Sequence, residues 1–167
     1  MRVKDGSSAE FLALADALVA AARPGGATIV VNDRTDIALL AGAGGVHVGQ
    51  DDLSVADVRR ILGAGLIGLS THNREQVDAA LDSAADYIAV GPIFDTGTKD
   101  TGYSARGIDL VRYATGRGKP VIAIGGIDLE RAPALIEAGA AAVAVIGDVL
   151  RDEPGRRTRA YLDALSR

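Results

Sequence analysis

The sequence contains two aspartates that could bind a metal ion. Asp33 and Asp52 each follow a short apolar run that is typical of a buried strand. Carboxylates at the ends of neighbouring parallel strands can share one hard cation, and Mg²⁺ is commonly held by one or two carboxylates with water and substrate phosphates. The pattern predicts a magnesium site at Asp33 and Asp52. The alternative is that each caps the following helix, a role we expect for Asp51.

Glycines after the last two apolar runs are typical of a phosphate site. Gly125 and Gly126 follow Ile124, and without a Cβ they let backbone N–H groups approach an anion. The pair Ile146-Gly147 ends the next run, and barrel phosphate sites are often built after the last two strands. These two loops predict a phosphate cup, with ordinary tight turns as the alternative.

A long polar segment, FDTGTKDTGYSARG, offers further anion ligands. Thr96 and Thr98 supply hydroxyl donors and Lys99 a compact cation, although a solvated loop would look the same. With no cysteine and no evident base beside Ser70, the residues favour metal-assisted group transfer over nucleophilic catalysis.

The remaining candidates are basic. Arg2 and Lys4 alternate with apolar residues, so on an extended segment both charges face the same way. We expect His47 to be a packed, hydrogen-bonded residue, and the role of His72 is left open.

These residues need elements to position them, and short β-branched runs alternate with amphipathic stretches as in successive βα units. The predicted strands are Thr28–Val31, Val46–Val48, Leu66–Leu69, Tyr87–Val90, Val121–Ile124 and Ala142–Ile146. The predicted helices are Ser8–Ala22, with Phe11, Leu14, Ala15 and Leu18 on its buried face, then Thr35–Ala41, Ser54–Leu62, Asn73–Ala80, Ile108–Ala114, Leu129–Glu137 and Arg156–Ser166. In such a parallel α/β fold, ligands bind at the carboxyl ends of the strands.

Composition narrows the class of protein. The 167 residues have a formal net charge of −4 and no block of like charges, which argues against nucleic acid or an anionic membrane as partners. No apolar run is long enough to cross a bilayer, and the first residues lack a secretory signal. We expect a single cytoplasmic domain spanning residues 1–167.

Five segments in register resemble the thiamine phosphate synthase (thiamine-phosphate pyrophosphorylase) family. They are VNDRTDIALLAGAGGVHVGQDDL, GLSTH, DYIAVGPIFDTGTK, PVIAIGGI and GAAAVAVIGDVL. The resemblance implies an α/β fold, a (β/α)₈ TIM barrel that is here amino-terminally truncated to about six βα units. It also implies a Mg²⁺-dependent transferase that joins hydroxymethylpyrimidine diphosphate to thiazole phosphate and releases pyrophosphate by a dissociative route.

The resemblance also implies residue roles. Asp33 and Asp52 would hold the metal, and Ser70 and Lys99 would be catalytic. The diphosphate would contact Arg2, Lys4, Asn32, Ser70 and Lys99. The thiazole phosphate would contact Thr96, Thr98, Gly126, Ile146 and Gly147.

The chain departs from the family pattern at several positions. Gly147 stands where the family usually has Ser, Asp95 and Gly97 replace more usual residues, and the family's Gln-x-Arg-x-Lys segment lacks its Gln here. An open barrel edge could be covered by a further copy in a homo-oligomer. Two alternatives stay open: a thiazole tautomerase using His72, and a non-catalytic barrel that binds thiamine phosphates.

Overall fold

The computed structural model describes residues 1–3, 5–97 and 102–166. Within these residues the strands are β1 (Val30–Asn32), β2 (Gly45–Val48), β3 (Leu66–Thr71), β4 (Tyr87–Val90), β5 (Val121–Ile124) and β6 (Ala142–Ala144). The helices are α1 (Ser8–Ala22), α2 (Thr35–Leu40), α3 (Val55–Leu62), α4 (Arg74–Asp82), α5 (Ile108–Ala114), α6 (Ala132–Glu137) and α7 (Pro154–Leu165), with 3-10 turns at Arg23–Gly25 and Val149–Arg151.

The chain divides into two compact units. The first unit comprises Met1–Ser70 and Ser83–Asp86, and the second comprises Thr71–Asp82 and Tyr87–Arg167. Strand order in the sheet follows chain order, β1-β2-β3 in the first unit and β4-β5-β6 in the second. The alternation of strand and helix predicted from the sequence is confirmed, whereas the assignment of residues 1–167 to one domain stays a prediction.

Parallel pairing aligns the strand ends of the first unit. Val31 lies opposite Val46 across β1 and β2, and Val46 lies opposite Ile67 across β2 and β3. All three of these side chains are fully buried, as continuous apolar runs in a parallel sheet should be. The alignment brings the carboxyl ends of the three strands to one edge.

Helix α1 begins where its sequence predicts. Ser7 and Glu10 form a reciprocal capping box, which satisfies backbone N–H groups that the first turn leaves without partners. The predicted buried face is partly wrong, because Leu14 is 46% exposed and Leu18 is half-buried. The buried stripe is instead Phe11, Ala15 and Val19, whose spacing of four residues follows one side of the helix.

The second unit repeats the architecture. Ala89 lies opposite Ile122 across β4 and β5, and Ala123 lies opposite Val143 across β5 and β6, both in parallel. Strand β6 ends at Ala144, two residues before the predicted end, and the next residues rise to 57% exposure at Ile146. The sequence could not reveal this because Val145 and Ile146 continue the apolar run.

The largest of the remaining differences is the start of one helix. Helix α6 begins three residues after the predicted Leu129, since the Asp128 carboxylate accepts a hydrogen bond from the Arg131 N–H (2.9 Å) and fixes a turn there. Gly42 and Gly139 have φ angles of 61° and 100° just after α2 and α6. Both helices therefore end in the left-handed conformation that glycine adopts readily. Among the described helices, none has the length and apolarity needed to cross a bilayer.

Candidate functional site

The carboxyl edge of the first unit carries both predicted metal ligands and two of the predicted diphosphate ligands, Asn32 and Ser70. Asn32 closes β1 opposite His47 of β2, and the Asp33 N–H donates to the His47 carbonyl at 2.8 Å. Asp33 therefore lies next to the end of β2. Asp52 belongs to the loop that leaves this same strand, so two carboxylates follow neighbouring parallel strands as predicted.

Asp33 has an unusual backbone. Its φ of 65° is the one positive value among the described residues other than glycine. The Arg34 N–H donates to the Asn32 carbonyl (2.8 Å) and the Thr35 N–H donates to the Asp33 carbonyl (3.0 Å), which holds the turn. Aspartate tolerates this left-handed region better than most residues, yet such conformations cluster at functional sites because they aim a side chain. The side chain is exposed.

Asp52 is held by the loop that carries it. Its Oδ2 accepts a hydrogen bond from the Gly49 N–H at 2.7 Å. The alternative that these aspartates cap helices is wrong, because α3 is capped by Ser54 and α2 begins after Arg34. The cap expected at Asp51 is wrong for the same reason. An open groove of about 420 Å³ includes Gly49, Gln50 and Asp52 in its lining.

Carboxylate oxygens at this edge are hard donors of the kind Mg²⁺ prefers. Within the described residues, no three His, Asp or Glu side chains form a metal-binding group. The donor set therefore fits an ion held by two carboxylates and completed by water and phosphate oxygens, rather than a cage of protein ligands.

Ser70 has a partner that sequence reasoning missed. Its hydroxyl lies 2.8 Å from His47 Nε2, and its carbonyl accepts from Gln50 Nε2 at 2.6 Å. The expectation that Ser70 lacks a basic neighbour is wrong. The expectation that His47 is hydrogen-bonded is confirmed. A signal was available, since β2 and β3 are neighbours and both residues lie near the strand ends.

The first residues extend the first unit's backbone ladder. The amino group of Met1 donates to the Val30 carbonyl (2.5 Å), and the Asn32 N–H donates to the Met1 carbonyl (2.9 Å), which is the pattern of a parallel pair. Burial lowers the pKa of this amino group. Met1 and Val3 pack against the core while Arg2 is exposed, as their alternation predicts. Lys4 lies outside the described residues.

The carboxyl edge of the second unit is built mainly from backbone. Gly125 and Gly126 follow β5 with φ angles of 99° and 65°. A Cβ on Gly126 would stand 2.5 Å from the Asp95 carbonyl oxygen, so glycine is required by both conformation and space. The Phe94 N–H donates to the Gly125 carbonyl at 3.0 Å, which ties this loop to the segment leading to Thr96.

Two side chains steady these glycine turns. Arg131 donates through Nη1 to the Gly126 carbonyl (3.1 Å), and its guanidinium lies 4.7 Å from the Phe94 ring centroid. Thr96 is half-buried. Thr98 and Lys99 lie outside the described residues.

After β6 the chain exposes Ile146 and Gly147 and then buries Asp148. The Asp148 carboxylate accepts from the Tyr161 hydroxyl (2.6 Å) and from Arg157 of α7. Burial alone would raise the pKa of Asp148, but these hydrogen bonds outweigh it and the pKa is lowered. Sequence reasoning missed this residue, although an aspartate beside a glycine turn and an arginine nine residues later was a readable sign.

His72 is engaged within the second unit. Its Nδ1 lies 2.5 Å from the Gly91 carbonyl, and because a carbonyl can only accept, this nitrogen carries the proton. The ring stacks on Tyr103 with centroids 4.1 Å apart. The imidazole is thus fixed in orientation.

The fold and the two polar edges define a class, a parallel α/β protein of the TIM-barrel type with polar residues and glycines after its strands. 3-Hexulose-6-phosphate synthase from Salmonella typhimurium shares this fold at 17% identity and a TM-score of 0.69, over 91% of this chain and 80% of that one. Thiamine phosphate pyrophosphorylase from Pyrococcus furiosus matches with a TM-score of 0.93 and 28% identity, over 99% of this chain and 81% of that one.

Sequence relatives give the family. The sequence model described as thiamine monophosphate synthase matches residues 1–149. A thiamine-phosphate synthase from Thermus thermophilus is 42% identical over 99% of this chain and 81% of its own length. The enzyme of that name from Koribacter versatilis is 44% identical over 98% of this chain and 78% of its own. The chain belongs to the thiamine monophosphate synthase family, so the resemblance found in the sequence is confirmed. The protein is therefore a transferase.

Proposed function

We propose that this protein joins hydroxymethylpyrimidine diphosphate to thiazole phosphate, forming thiamine phosphate and pyrophosphate with Mg²⁺ as cofactor. The observation that carries the proposal is positional. Apart from Arg2, which lies before the first helix, every proposed ligand among the described residues follows or ends a parallel strand, the position at which α/β enzymes of this type bind substrates. Thiamine-phosphate synthase is also the name of the relatives that span the chain.

In this proposal the first unit takes the diphosphate. Asp33 and Asp52 would hold the metal, which when bound would supply positive charge to counter the negative charge of the leaving pyrophosphate. Asn32 and Arg2 donate to diphosphate oxygens, whereas Lys4 and Lys99, which lie outside the described residues, stay predicted ligands of the same group. The Ser70 hydroxyl lies 2.8 Å from His47 Nε2 and donates to the same group when the imidazole carries its proton on Nε2, because Ser70 then accepts from His47.

The second unit takes the thiazole phosphate. Gly126, Ile146 and Gly147 offer backbone N–H groups, and Thr96 and Thr98 add hydroxyl donors. Because Gly147 has no hydroxyl, its contribution is the backbone donor alone. We infer that the thiazole phosphate site depends on loop position more than on side-chain chemistry.

The proposed chemistry balances as a substitution at the pyrimidine methylene. Its C–O bond to the diphosphate breaks, and pyrophosphate leaves with the electron pair. The thiazole nitrogen lone pair then forms the new C–N bond. A route of this kind requires stabilisation of the leaving group more than a strong base.

Two further points belong to the proposal. We propose that the architecture corresponds to an eight-stranded TIM barrel from which this chain supplies about six βα units, in a homo-oligomer or with a further segment covering the open edge. We also propose that the protein acts in the cytoplasm on small phosphorylated substrates.

The test is pyrophosphate release by the purified protein given both substrates, with Mg²⁺ and with excess chelator. We expect release that stops on chelation and returns when Mg²⁺ is added back. Release that is indifferent to chelator would remove the metal from the proposal. Interconversion of thiazole tautomers without pyrophosphate release would favour the tautomerase, and ligand binding without turnover would favour a binding protein.

A further inference from the structure

Asp148 is a buried charge that the proposed chemistry does not use. Its side chain is 4% exposed, and among the described residues it is the one charged residue in the buried class. Taking a carboxylate out of water is unfavourable unless its charge and hydrogen-bonding capacity are met. The burial of an aspartate directly after Gly147 therefore requires partners that compensate its charge.

The carboxylate joins three parts of the second unit. Arg157 donates to its Oδ2 through Nε at 3.0 Å and Nη2 at 2.7 Å, and the Tyr161 hydroxyl donates to the same oxygen at 2.6 Å. The backbone N–H of Leu129 is a further donor to it. Leu129 belongs to the loop that follows β5, and Arg157 and Tyr161 belong to α7. One side chain thus connects the loop after β5, the loop after β6 and the last helix.

These two loops carry the glycine turns of the second unit. Gly126 stands three residues before Leu129, and Gly147 stands next to Asp148. Backbone donors cannot be re-aimed by a change of rotamer, so their direction depends on how the whole loop is fixed. A displacement of about 1 Å can reduce catalysis about a hundred-fold when a substrate group is held by such contacts.

The network also balances charge. A bare carboxylate beside a phosphate site would repel the ligand, and the Arg157 guanidinium neutralises it through two hydrogen bonds to one oxygen. The Arg151 guanidinium stands 3.7 Å from the other oxygen. Asp148 with its arginine partners therefore holds the two loops without adding net negative charge beside them.

We propose that Asp148 is a positioning residue that holds the two phosphate loops of the second unit in register through Arg157, Tyr161 and the Leu129 N–H. The inference rests on the proposed function, since it assumes that these loops receive the thiazole phosphate. Asp148 does not itself touch substrate.

The test compares Asp148→Asn and Tyr161→Phe with the wild type in steady-state kinetics. We expect KM for thiazole phosphate to rise about ten-fold in Asp148→Asn, a loss typical of removing a residue that orients a binding group. The rise should be smaller in Tyr161→Phe, which keeps the ion pair between Asp148 and Arg157. KM for the pyrimidine diphosphate should stay unchanged. An equal rise in both KM values, or none, would overturn the inference.

Asp152→Asn is the matched control. It removes the same charge four residues along, where Asp152 pairs with Arg156 at the exposed start of α7, and it should behave as wild type. If Asp148→Asn fails to fold, the test is made with Tyr161→Phe. This substitution is milder, because it removes only the hydroxyl group that donates to Asp148.

Failure of the proposed function gives a different result. If the wild type shows no turnover, titration calorimetry with thiazole phosphate alone still decides the inference. Weaker binding by Asp148→Asn and Tyr161→Phe than by wild type and Asp152→Asn would support it. Equal binding by all four proteins, or no binding by the wild type, would overturn it.

Discussion

The two units reach their candidate sites by different means. The first presents side-chain oxygens, Asp33 and Asp52, on short loops after neighbouring strands. The second presents glycine backbone at Gly126 and Gly147, and the shape of its loops depends on contacts beyond them. A carboxylate site is thus encoded by the types of a few residues, whereas a backbone site is encoded by the residues that hold the loop.

The largest expected effect tests the carboxylate half. Asp33→Asn and Asp52→Asn should each lower kcat for pyrophosphate release by roughly 100-fold or more, because transition-state charge loses its counter-ion. Asparagine also tolerates the left-handed conformation of Asp33, so the fold should persist. The neighbouring Asp51→Asn is the control, with kcat close to wild type. Equal losses in all three variants would contradict the assignment.

The next effect tests the backbone half. Gly126→Ala adds a Cβ 2.5 Å from the Asp95 carbonyl oxygen in a left-handed turn. We expect the free energy of unfolding in urea to fall by about 1–3 kcal/mol and KM for thiazole phosphate to rise. Gly25→Ala is the control, since a Cβ there meets nothing within 4 Å. Unchanged stability and KM would show that the turn adapts.

A third comparison lies within the first unit, away from the candidate site. Arg59 donates to the Gly63 and Gly65 carbonyls at 2.7 Å each and to the Asp86 carboxylate at 2.6 Å. Arg59→Ala should lower the free energy of unfolding by about 1–2 kcal/mol and leave both KM values unchanged. Arg60→Ala, whose side chain is 82% exposed, should stay within about 0.5 kcal/mol of wild type. A large KM change in Arg59→Ala would contradict the expectation that Arg59 contributes to stability and not to substrate binding.

The smallest effect concerns pH. Hydrogen bonding lowers the pKa of Asp148 despite burial, so the carboxylate contributes stability above its unfolded pKa of about 3.9 and loses it as pH falls through the folded value. The gap in unfolding free energy between wild type and Asp148→Asn should be constant from about pH 5 to 8 and narrow below about pH 4. A gap that widens in acid would contradict the sign.

Prediction from sequence succeeded for elements that apolar periodicity and flanking turns define. Three elements have the predicted bounds: the strands Tyr87–Val90 and Val121–Ile124 and the helix Ile108–Ala114. The assignment of metal and substrate residues stays a prediction, although Asp33 and Asp52 follow neighbouring strands as expected.

What the sequence missed depends on pairing between distant residues. The contact of Ser70 with His47 follows from the register of two strands, and the burial of Asp148 follows from the docking of α7. Neither local propensity nor periodicity reports which side chains meet across a fold. The predicted burial of Leu14 failed similarly, since α1 carries apolar residues on several faces and packing selects one of them.

The long connection after β4 affects the entropy cost of bringing β4 and β5 together. Parallel pairing joins Val30 to Gly45 in the first unit but Ile88 to Val121 in the second, so the second closure spans about twice as many residues. Doubling a flexible loop adds only about 0.6 kcal/mol of closure entropy. Added length between Phe94 and α5 is therefore thermodynamically inexpensive, whereas α5 itself, which buries Leu110, Val111 and Ala114, has to keep its apolar residues.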